Sequence, residues 1–529
     1  MSELGDLAAD VVVVGAGPVG LLLACELRRA AVRVVVVERL AVPMTESRAS
    51  QLSTLTAELL RERGFDALLD EAAREPQAHF AGLRVDLSGL PSAYAGNWKV
   101  PQYRTEAAFQ SRAERLGAEL LRCHQLTALS EQQDHVVCLV ESPAGARRIR
   151  ARWVVGCDGA ASTVRGLGGF TVARAAPTRE MLRADVTGLE IRDRRFERLD
   201  RGLAVAVTRD GVSRVMVYEA GSPVVTRPGP PRFAEIARQW YAVTGEDISA
   251  GHAIWVDAFD NSRGLATRYR TGRVLLAGDA AHWHMPIGGQ ALNVGLQDAV
   301  NLGWKLAAQV HGWAPPGLLD SYHSERHAVA ADVLDSVTAQ ETLLLGGAEV
   351  DPLRAVLAEL LQLAPVGDRL ARAAAGFDVR YGTDDHPLVG RRLPRTAVQA
   401  RSGRPAGELA ADMAGVLLRP PDPASADRPV PAAPAGQPVP VGPTDRPGAA
   451  ASADRPVPAA PAANATVTGP AAGCRLRVVH APPGPAGADP GADSILLRPD
   501  GYVAWAGADE EGLDSALARW FGMRLRGPA

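Results

Sequence analysis

The chain has 529 residues, enough for two or three domains with a sizeable core. Hydrophobic residues make up 47% and charged residues 22%, a balance that excludes a disordered or fibrous chain. The net charge of -3 excludes a general affinity for nucleic acid or for anionic membrane. Almost all positive charge is arginine, with lysine only at Lys99 and Lys305. The five cysteines, Cys25, Cys123, Cys138, Cys157 and Cys474, form no CxxC pair and no zinc spacing, so no metal is expected. An odd, scattered set of cysteines fits a reducing compartment. The N-terminus carries Glu3 and Asp6 and lacks the basic and apolar regions of a signal peptide. No apolar run is long enough to span a bilayer, and a cytoplasmic protein is expected.

Val11 to Val14 is too short and too β-branched to be anything but a buried strand. The turn Gly15-Ala16-Gly17-Pro18-Val19-Gly20 follows, then a helix over Leu21 to Ala30, then a second strand over Val32 to Val37 that closes at Glu38. Each glycine has a reason. Gly15 permits a tight turn, Gly17 lets the backbone approach a pyrophosphate, and Gly20 lets the helix pack on the strand. The helix N-terminus offers free N–H groups and a positive dipole to the phosphates. Glu38, 18 residues beyond Gly20, stands where a carboxylate can accept the ribose hydroxyls of an adenosine. The pattern predicts a bound dinucleotide but does not separate NAD from FAD.

Ser47-Arg48-Ala49 precedes a helical pattern through Leu60, and Leu83 to Lys99 alternates weakly. Val100-Pro101-Gln102 leads into a helix expected from about Thr105 to Leu121. Val136 to Val140 and Ile149 to Val155 read as paired strands around a turn at Pro143-Ala144-Gly145. The second of these strands ends in Cys157-Asp158-Gly159, with a helix starting near Ser162 and carrying Arg165. Asp158 therefore sits at the carboxyl end of a strand, where open α/β sheets bind ligands, although a plain Asp-Gly turn accounts for the residues equally well. Met181 to Trp255 reads as a mainly antiparallel sheet inserted into the nucleotide domain, with a turn at Asp210-Gly211.

Val274 to Ala277 is a third buried strand, followed by Gly278-Asp279-Ala280-Ala281-His282. Pro286-Ile287-Gly288-Gly289-Gln290-Ala291-Leu292-Asn293 then opens a helix through Leu306. A glycine pair before a helix start presents another cluster of free N–H groups, suited to a delocalised anion. His282 and His284 lie nearby, but packing or backbone capping is the ordinary role of such residues. Core packing is likewise the default for Trp98, Trp255 and Trp283. After Pro315 the chain is helical to about Ala375. From Pro420 to Pro470 it holds 14 of the 39 prolines, and its segment Ala424 to Ala435 is repeated without change at Ala451 to Ala462. A linker is expected there. Arg475 to His480, Ser494 to Leu497 and Tyr502 to Trp505 read as strands, and Leu513 to Phe521 as a helix.

Together the three glycine-and-acid segments resemble the class A FAD-dependent aromatic hydroxylases, the p-hydroxybenzoate hydroxylase-like group, and within it the aromatic polyketide hydroxylases. The turn with Glu38 resembles the family's ADP motif. Cys157-Asp158-Gly159 with Arg165 resembles the motif serving FAD and NAD(P)H, and Gly278 to Asn293 resembles the flavin-ring motif. His386 to Arg392 and Leu497 to Tyr502 resemble parts of the family's tail. The resemblance implies an α/β chain: a GR2-type Rossmann-like FAD domain (1–174 and 261–398, with helical 316–375) and an inserted antiparallel substrate domain (175–260, with part of 80–100). It also implies a thioredoxin-like tail (399–529) interrupted by the linker 420–470 and lacking a redox CxxC. It assigns Arg39, Arg48, Gln102 and Leu126 to the cofactor beside the residues already named. Ala31, where a glycine is usual, departs from the pattern, as do Met285, Ile287 and Ala291. The last three bear on the substrate more than on the cofactor.

What the resemblance implies chemically is a monooxygenase. NADPH or NADH reduces FAD, a flavin C4a-hydroperoxide forms with O2, and oxygen passes to a polycyclic aromatic substrate. The cofactor supplies the chemistry, and the protein supplies orientation, electrostatics and exclusion of water. N–H groups from Gln290 to Asn293 would stabilise charge on the reduced ring. Pro286, Gly288 and Gly289 would leave room for the peroxide. No catalytic base is evident; His284 and Pro286 are the weak candidates. Baeyer–Villiger oxygenation of a polycyclic ketone, or a flavin dehydrogenase or reductase, remains open on the same motifs. A monomer or homodimer is expected.

Overall fold

Four consecutive valines, Val34–Val37, form a strand buried on both faces. β-branched side chains with helices to either side favour this arrangement. The strand lies parallel to Leu7–Val14, in register from Val11 opposite Val34 to Val14 opposite Val37. A parallel pair needs a crossover, and the helix Pro18–Arg29 supplies it. In this computed structural model the described residues are 6–45, 49–382, 384, 386–409, 413–420, 464–468, 475–480 and 492–524.

The central sheet has the order Arg270–Thr271, Val274–Leu276, Gly145–Gly156, Leu7–Val14, Val34–Val37, Glu119–Leu121. Every neighbouring pair after the first is parallel. The paired strands expected around residue 144 are Val136–Ser142 and Gly145–Gly156, antiparallel, with Gln125–Glu131 outside them. One expected boundary is corrected. The helix read from Thr105 to Leu121 runs from Gln102 to Arg115, and Glu119–Leu121 instead joins the sheet beside Val34–Val37. Gly117, with φ +87°, breaks the helix between them.

The helix Pro18–Arg29 ends at Ala30, and Ala31 takes φ +59°, the left-handed conformation that glycine adopts without penalty. Ala31→Gly is therefore expected to stabilise the protein by about 0.5–1 kcal/mol, the left-handed penalty less the greater freedom of glycine in the unfolded chain. Thermal unfolding of the variant beside the wild type checks this; a lower midpoint would show that the conformation carries no strain.

The insert is a five-stranded antiparallel sheet in the order Arg194–Leu199, Gly202–Arg209, Val212–Glu219, Glu180–Thr187, His252–Asp260. One face carries Leu182, Ala184, Val215 and Val217 and packs on Ile236 and Trp240 of the helix Phe233–Thr244, an element the sequence reading did not anticipate. The other face looks toward the nucleotide domain. Met181, Leu203 and Val205 on that face cluster with Met285 and Ile287 of the loop before the long helix Gln290–His311.

Helices Asp320–Leu345, Asp351–Leu360 and Ala364–Ala375 fill the stretch after Pro315. The tail is a sheet in the order Asn464–Thr468, Arg475–His480, Gly415–Arg419, Ser494–Leu497, Val503–Gly507, followed by the helix Glu510–Phe521. Two corrections arise here. Gly415–Arg419 is a strand that the sequence reading missed, and Asn464–Thr468, placed in the linker, is the edge strand of this sheet. The remainder of the linker, 421–463 and 469–470, lies outside the described residues, as does Cys474.

The tail is seated on the long helix by an apolar cluster of Trp304, Ala308, Leu417, Leu496, Leu513, Trp520 and Phe521. Buried charges cross the same seam. Arg498 donates to both oxygens of Glu325, at 2.6 and 3.0 Å, and to both oxygens of Asp500, at 3.1 and 2.5 Å. Lys305 Nζ also reaches Glu325, at 2.7 Å, and Trp304 Nε1 donates to Asp500 at 3.1 Å.

Candidate active site

The carboxyl ends of Leu7–Val14 and Gly145–Gly156 lie side by side, and the turns leaving them meet. A Cβ at Gly15, where φ is +104°, would fall 2.5 Å from the carbonyl oxygen of Cys157. One at Gly20 would fall 2.1 Å from the carbonyl oxygen of Gly15. Only glycine permits either approach. A Cβ at Gly17 would meet no protein atom within 4 Å, since Gly17 faces open space.

That space is a cavity of about 580 Å³. Gly15, Gly17, Pro18, Val19, Glu38, Arg39, Gln102, Leu126, Asp158, Gly159, Asp279, His284, Pro286, Ala291 and Leu292 line it. Segments far apart in sequence are thus brought to one site. Glu38 ties the first turn down, its Oε2 accepting from the Ala16 N–H at 2.7 Å and its Oε1 from the Leu40 N–H at 2.8 Å. Gln102, at the start of its helix, accepts from the Ala49 N–H at 3.2 Å and donates to Glu106 at 2.7 Å. Asp158 accepts from Ser162 Oγ at 2.5 Å and from the Val164 N–H at 3.0 Å, so its carboxylate also fixes the short helix that follows. Asp279 lies in the 3-10 turn Gly278–Ala280 just past the strand Val274–Leu276.

Other expected contacts do not line the cavity. Gly20, Arg165, Gly288, Gly289, Gln290 and Asn293 are absent from its wall. The buried guanidinium of Arg165 donates to the carbonyls of Ala280, at 3.0 Å, and Ala160, at 2.5 Å, and lies over Trp283. It clamps two of the cavity's turns together. Asn293 accepts from the Ser53 N–H at 2.8 Å and donates to the carbonyls of Gln51 and Gly289. It pins the start of the long helix, with Gly288 and Gly289 both left-handed ahead of it (φ +76° and +66°). Ala291 and Leu292 of the first turn remain at the wall, where N–H groups at a helix start have no intrahelical partner. Arg48 lies outside the described residues.

His284 Nδ1 is 2.8 Å from the Met285 carbonyl oxygen, and its Nε2 has no partner among the described residues and is shielded from solvent. Burial, with His282 nearby, pushes its pKa down to about 4, so the ring is neutral at physiological pH. His282 instead pairs with Asp298, at 2.7 Å. Asp298 also accepts from the Gly278 N–H at 3.0 Å and from Arg326 at 2.7 Å. This buried set holds the Gly278–Ala280 turn in place. None of Trp98, Trp255 and Trp283 lines the cavity.

The sequence reading missed the wall built by the insert. Arg183, Asp257, Ala258 and Phe259 line the same cavity as the glycine turn. The signal was the alternation of Trp255, Asp257 and Phe259, which puts three large or charged groups on one face of a strand. Nothing in the sequence told which face would look inward. Among the described residues no group of three or more His, Cys, Asp or Glu could hold a metal ion, and no helix is long and apolar enough to cross a membrane.

Comparison with known proteins agrees with this arrangement. Residues 8–337 match the model of an FAD-binding domain, and residues 386–523 match that of the aromatic-ring hydroxylase C-terminal region. The chain is 37% identical to the 12-dehydrotetracycline 5-monooxygenase/anhydrotetracycline 6-monooxygenase of Streptomyces rimosus, over 97% of this chain and 99% of that one. It is 35% identical to a rifampicin monooxygenase of Streptomyces venezuelae, over 98% and 100%. The crystal structure of CabE, an aromatic hydroxylase from angucycline biosynthesis, superimposes with a TM-score of 0.83 at 40% identity, covering 98% of this chain and 99% of that one. Glycines that the close-packed turn at Gly15 to Gly20 requires, one cavity bounded by that turn and by the antiparallel sheet, and relatives matched over nearly their whole length place this chain in the class A FAD-dependent aromatic hydroxylases, as a flavoprotein monooxygenase.

Proposed function

We propose that the enzyme consumes NADPH or NADH and O2 and hydroxylates a polycyclic aromatic substrate of polyketide type. The observation that carries this reading is the shared cavity: one space is bounded by the dinucleotide turn and by Arg183, Asp257 and Phe259 of the insert. A cofactor extended from the first turn would present its reactive end to the insert's wall. The relatives named above, monooxygenases of 12-dehydrotetracycline, anhydrotetracycline and rifampicin, support a polycyclic substrate.

The residues present fit FAD. The glycine cradle at Gly15, Gly17 and Gly20 would admit a pyrophosphate, the N-terminus of the first helix would face it, and Glu38, at the cavity wall, would accept from the ribose hydroxyls. Bound FAD, once reduced by the nicotinamide, supplies the activation of O2. The chain does the rest. Ala291 and Leu292, at a helix start on the cavity wall, would offer N–H groups to negative charge on the ring. Met285 and Ile287, both buried, close the loop against the insert and keep water from that side. Pro286 bounds the cavity at the same loop. His284, neutral and tied to the Met285 carbonyl, shapes this wall and does not act as a charged acid. The tail, a sheet with Gly415–Arg419 parallel to Arg475–His480, is read as thioredoxin-like and structural, and the enzyme as a cytoplasmic monomer or homodimer.

The test is NADPH and O2 consumption by the purified flavoprotein, with and without polycyclic phenols and quinones, under labelled O2. One labelled oxygen on an intact ring is the expected product. A labelled lactone would establish Baeyer–Villiger chemistry instead. NADPH oxidation with an acceptor other than O2 would establish a reductase.

A further inference from the structure

Two arginine–carboxylate pairs lie on the face of the inserted sheet that looks toward the nucleotide domain, and they differ. Arg214 and Asp185 make the two-oxygen fork usual for such pairs: Nε to Oδ1 at 2.7 Å and Nη2 to Oδ2 at 2.7 Å. Arg183 and Asp257, opposite each other on neighbouring strands, do not. Nε and Nη2 of Arg183 both donate to one oxygen, Oδ2 of Asp257, at 3.0 and 2.6 Å. The other oxygen, Oδ1, makes no hydrogen bond to a described residue. Of the two pairs, only Arg183 and Asp257 line the cavity.

The arginine is fixed. Its Cζ lies 4.7 Å from the ring centre of Trp255 and 5.0 Å from that of Phe259, and its side chain is 7% exposed. The Asp257 side chain is 22% exposed, so the carboxylate is the member of the pair that a ligand can reach. An ionised carboxylate only accepts hydrogen bonds. A charged acceptor held by a rigid cation, with one oxygen unfilled beside an aromatic side chain, suits a flat ligand that carries a hydroxyl donor.

We propose that Oδ1 of Asp257 accepts the hydroxyl of a phenolic polycycle, and that Asp257 thereby selects hydroxylated arenes over their ethers. This rests on the reading given under Proposed function. Arg183 is the positioning residue: it holds Oδ2 and turns Oδ1 to the ligand. Phe259 lines the same wall.

The probes are 2-hydroxyanthraquinone and 2-methoxyanthraquinone, titrated into the full-length protein and read by quenching of tryptophan emission, a signal that does not depend on bound flavin. Wild type is expected to bind the phenol about tenfold or more tightly than the ether, as a hydrogen bond to a charged group implies. Asp257→Asn is expected to reduce that ratio below about threefold, chiefly by weakening the phenol. Because this variant takes the Asp257 charge away from the buried Arg183, the double variant Arg183→Gln/Asp257→Asn, which removes both charges, is measured beside it, and the thermal midpoint of each reports folding. A wild-type ratio near one, or a ratio kept by both variants, overturns the proposal. Either result in a flavin-loaded protein that consumes NADPH and O2 leaves the monooxygenase reading intact. A protein that neither holds flavin nor consumes O2 fails that reading, whatever the ratio.

Discussion

Arg498→Met is expected to destabilise the protein by about 3–5 kcal/mol, the cost of leaving buried carboxylates without their cation. Arg498 is buried and makes four charged hydrogen bonds, two to Glu325 and two to Asp500. Its guanidinium also lies over Trp520, 4.5 Å from the ring centre. Methionine fills part of the volume but supplies none of the donors. Lys305 would still meet Glu325, yet among the described residues Asp500 would keep only Trp304 Nε1, Asn301 Nδ2 and the Tyr502 N–H. Because Glu325 belongs to the helix Asp320–Leu345 and Arg498 to the tail, the lost pair loosens the seam between them. A lowered thermal midpoint, with faster proteolysis after Leu497, is the expected readout. An unchanged midpoint would show that the apolar cluster seats the tail alone.

The same network predicts the acid response. Burial by itself would raise the pKa of Glu325, but the Arg498 and Lys305 charges beside it pull it down to about 2 from an ordinary 4.5. A carboxyl group depressed in the folded state stabilises the protein fully above the unfolded value, and that contribution is lost as pH falls from about 4.5 to about 2. The term is on the order of 3 kcal/mol. Glu325→Gln should therefore lower stability at neutral pH and flatten the dependence between those limits. A variant with the wild-type acid profile would remove Glu325 from the cause.

The second large effect concerns the glycine turn. Gly20→Ala is expected to abolish retention of FAD through purification and to lower the stability of the apoprotein as well. The added Cβ would stand 2.1 Å from the Gly15 carbonyl oxygen and 3.2 Å from side-chain carbons of Cys157 and Val13. Backbone cannot yield as a flexible side chain can, so helix and turn must separate, and the N–H groups leave their places at the pyrophosphate. Gly17→Ala separates the two effects. Its Cβ meets no protein atom within 4 Å, and its φ of -75° is open to any residue. The apoprotein midpoint should then stay near the wild-type value while FAD content falls, because the methyl group stands where the cofactor's phosphates approach. Flavin absorbance per protein and the melting of apoprotein check both variants. Full FAD content in Gly17→Ala would show that the backbone there does not meet the cofactor.

How much of this was legible beforehand depends on the range of the interactions. The strand Leu7–Val14, its glycine turn, the following helix and Val34–Val37 are local, and their residue types leave few alternatives. The three segments that meet at the cavity each carry a local mark: Gly15 to Glu38, Asp158-Gly159 and Asp279 to Leu292. What sequence could not give is where a polar side chain spends its hydrogen bonds. Arg165 and Asn293 carry the types and spacing of ligand contacts, yet their donors go to the carbonyls of Ala280, Ala160, Gln51 and Gly289, partners that only folding brings near. His284, a weak candidate for proton transfer whose ordinary role is packing or capping, is a neutral ring tied to its neighbour's carbonyl.

The tertiary structure alone decided three things. It turned the Trp255, Asp257 and Phe259 face of the insert toward the cavity, because the opposite face is the more apolar and takes the helix Phe233–Thr244. It drew Asn464–Thr468 out of the proline-rich stretch to pair with Arg475–His480, since an unpaired edge strand leaves its backbone groups unsatisfied. And it seated the tail on the helix Asp320–Leu345 through Arg498 and Glu325, and on the long helix through Asp500 and Trp304. The sequence by itself determined that a dinucleotide would be held, because a cradle of glycines before a helix is a local solution to binding phosphate. Which wall faces that dinucleotide was decided by packing between segments about a hundred residues apart, Met181 against Met285 and Ile287, where burying apolar area outweighs any local preference.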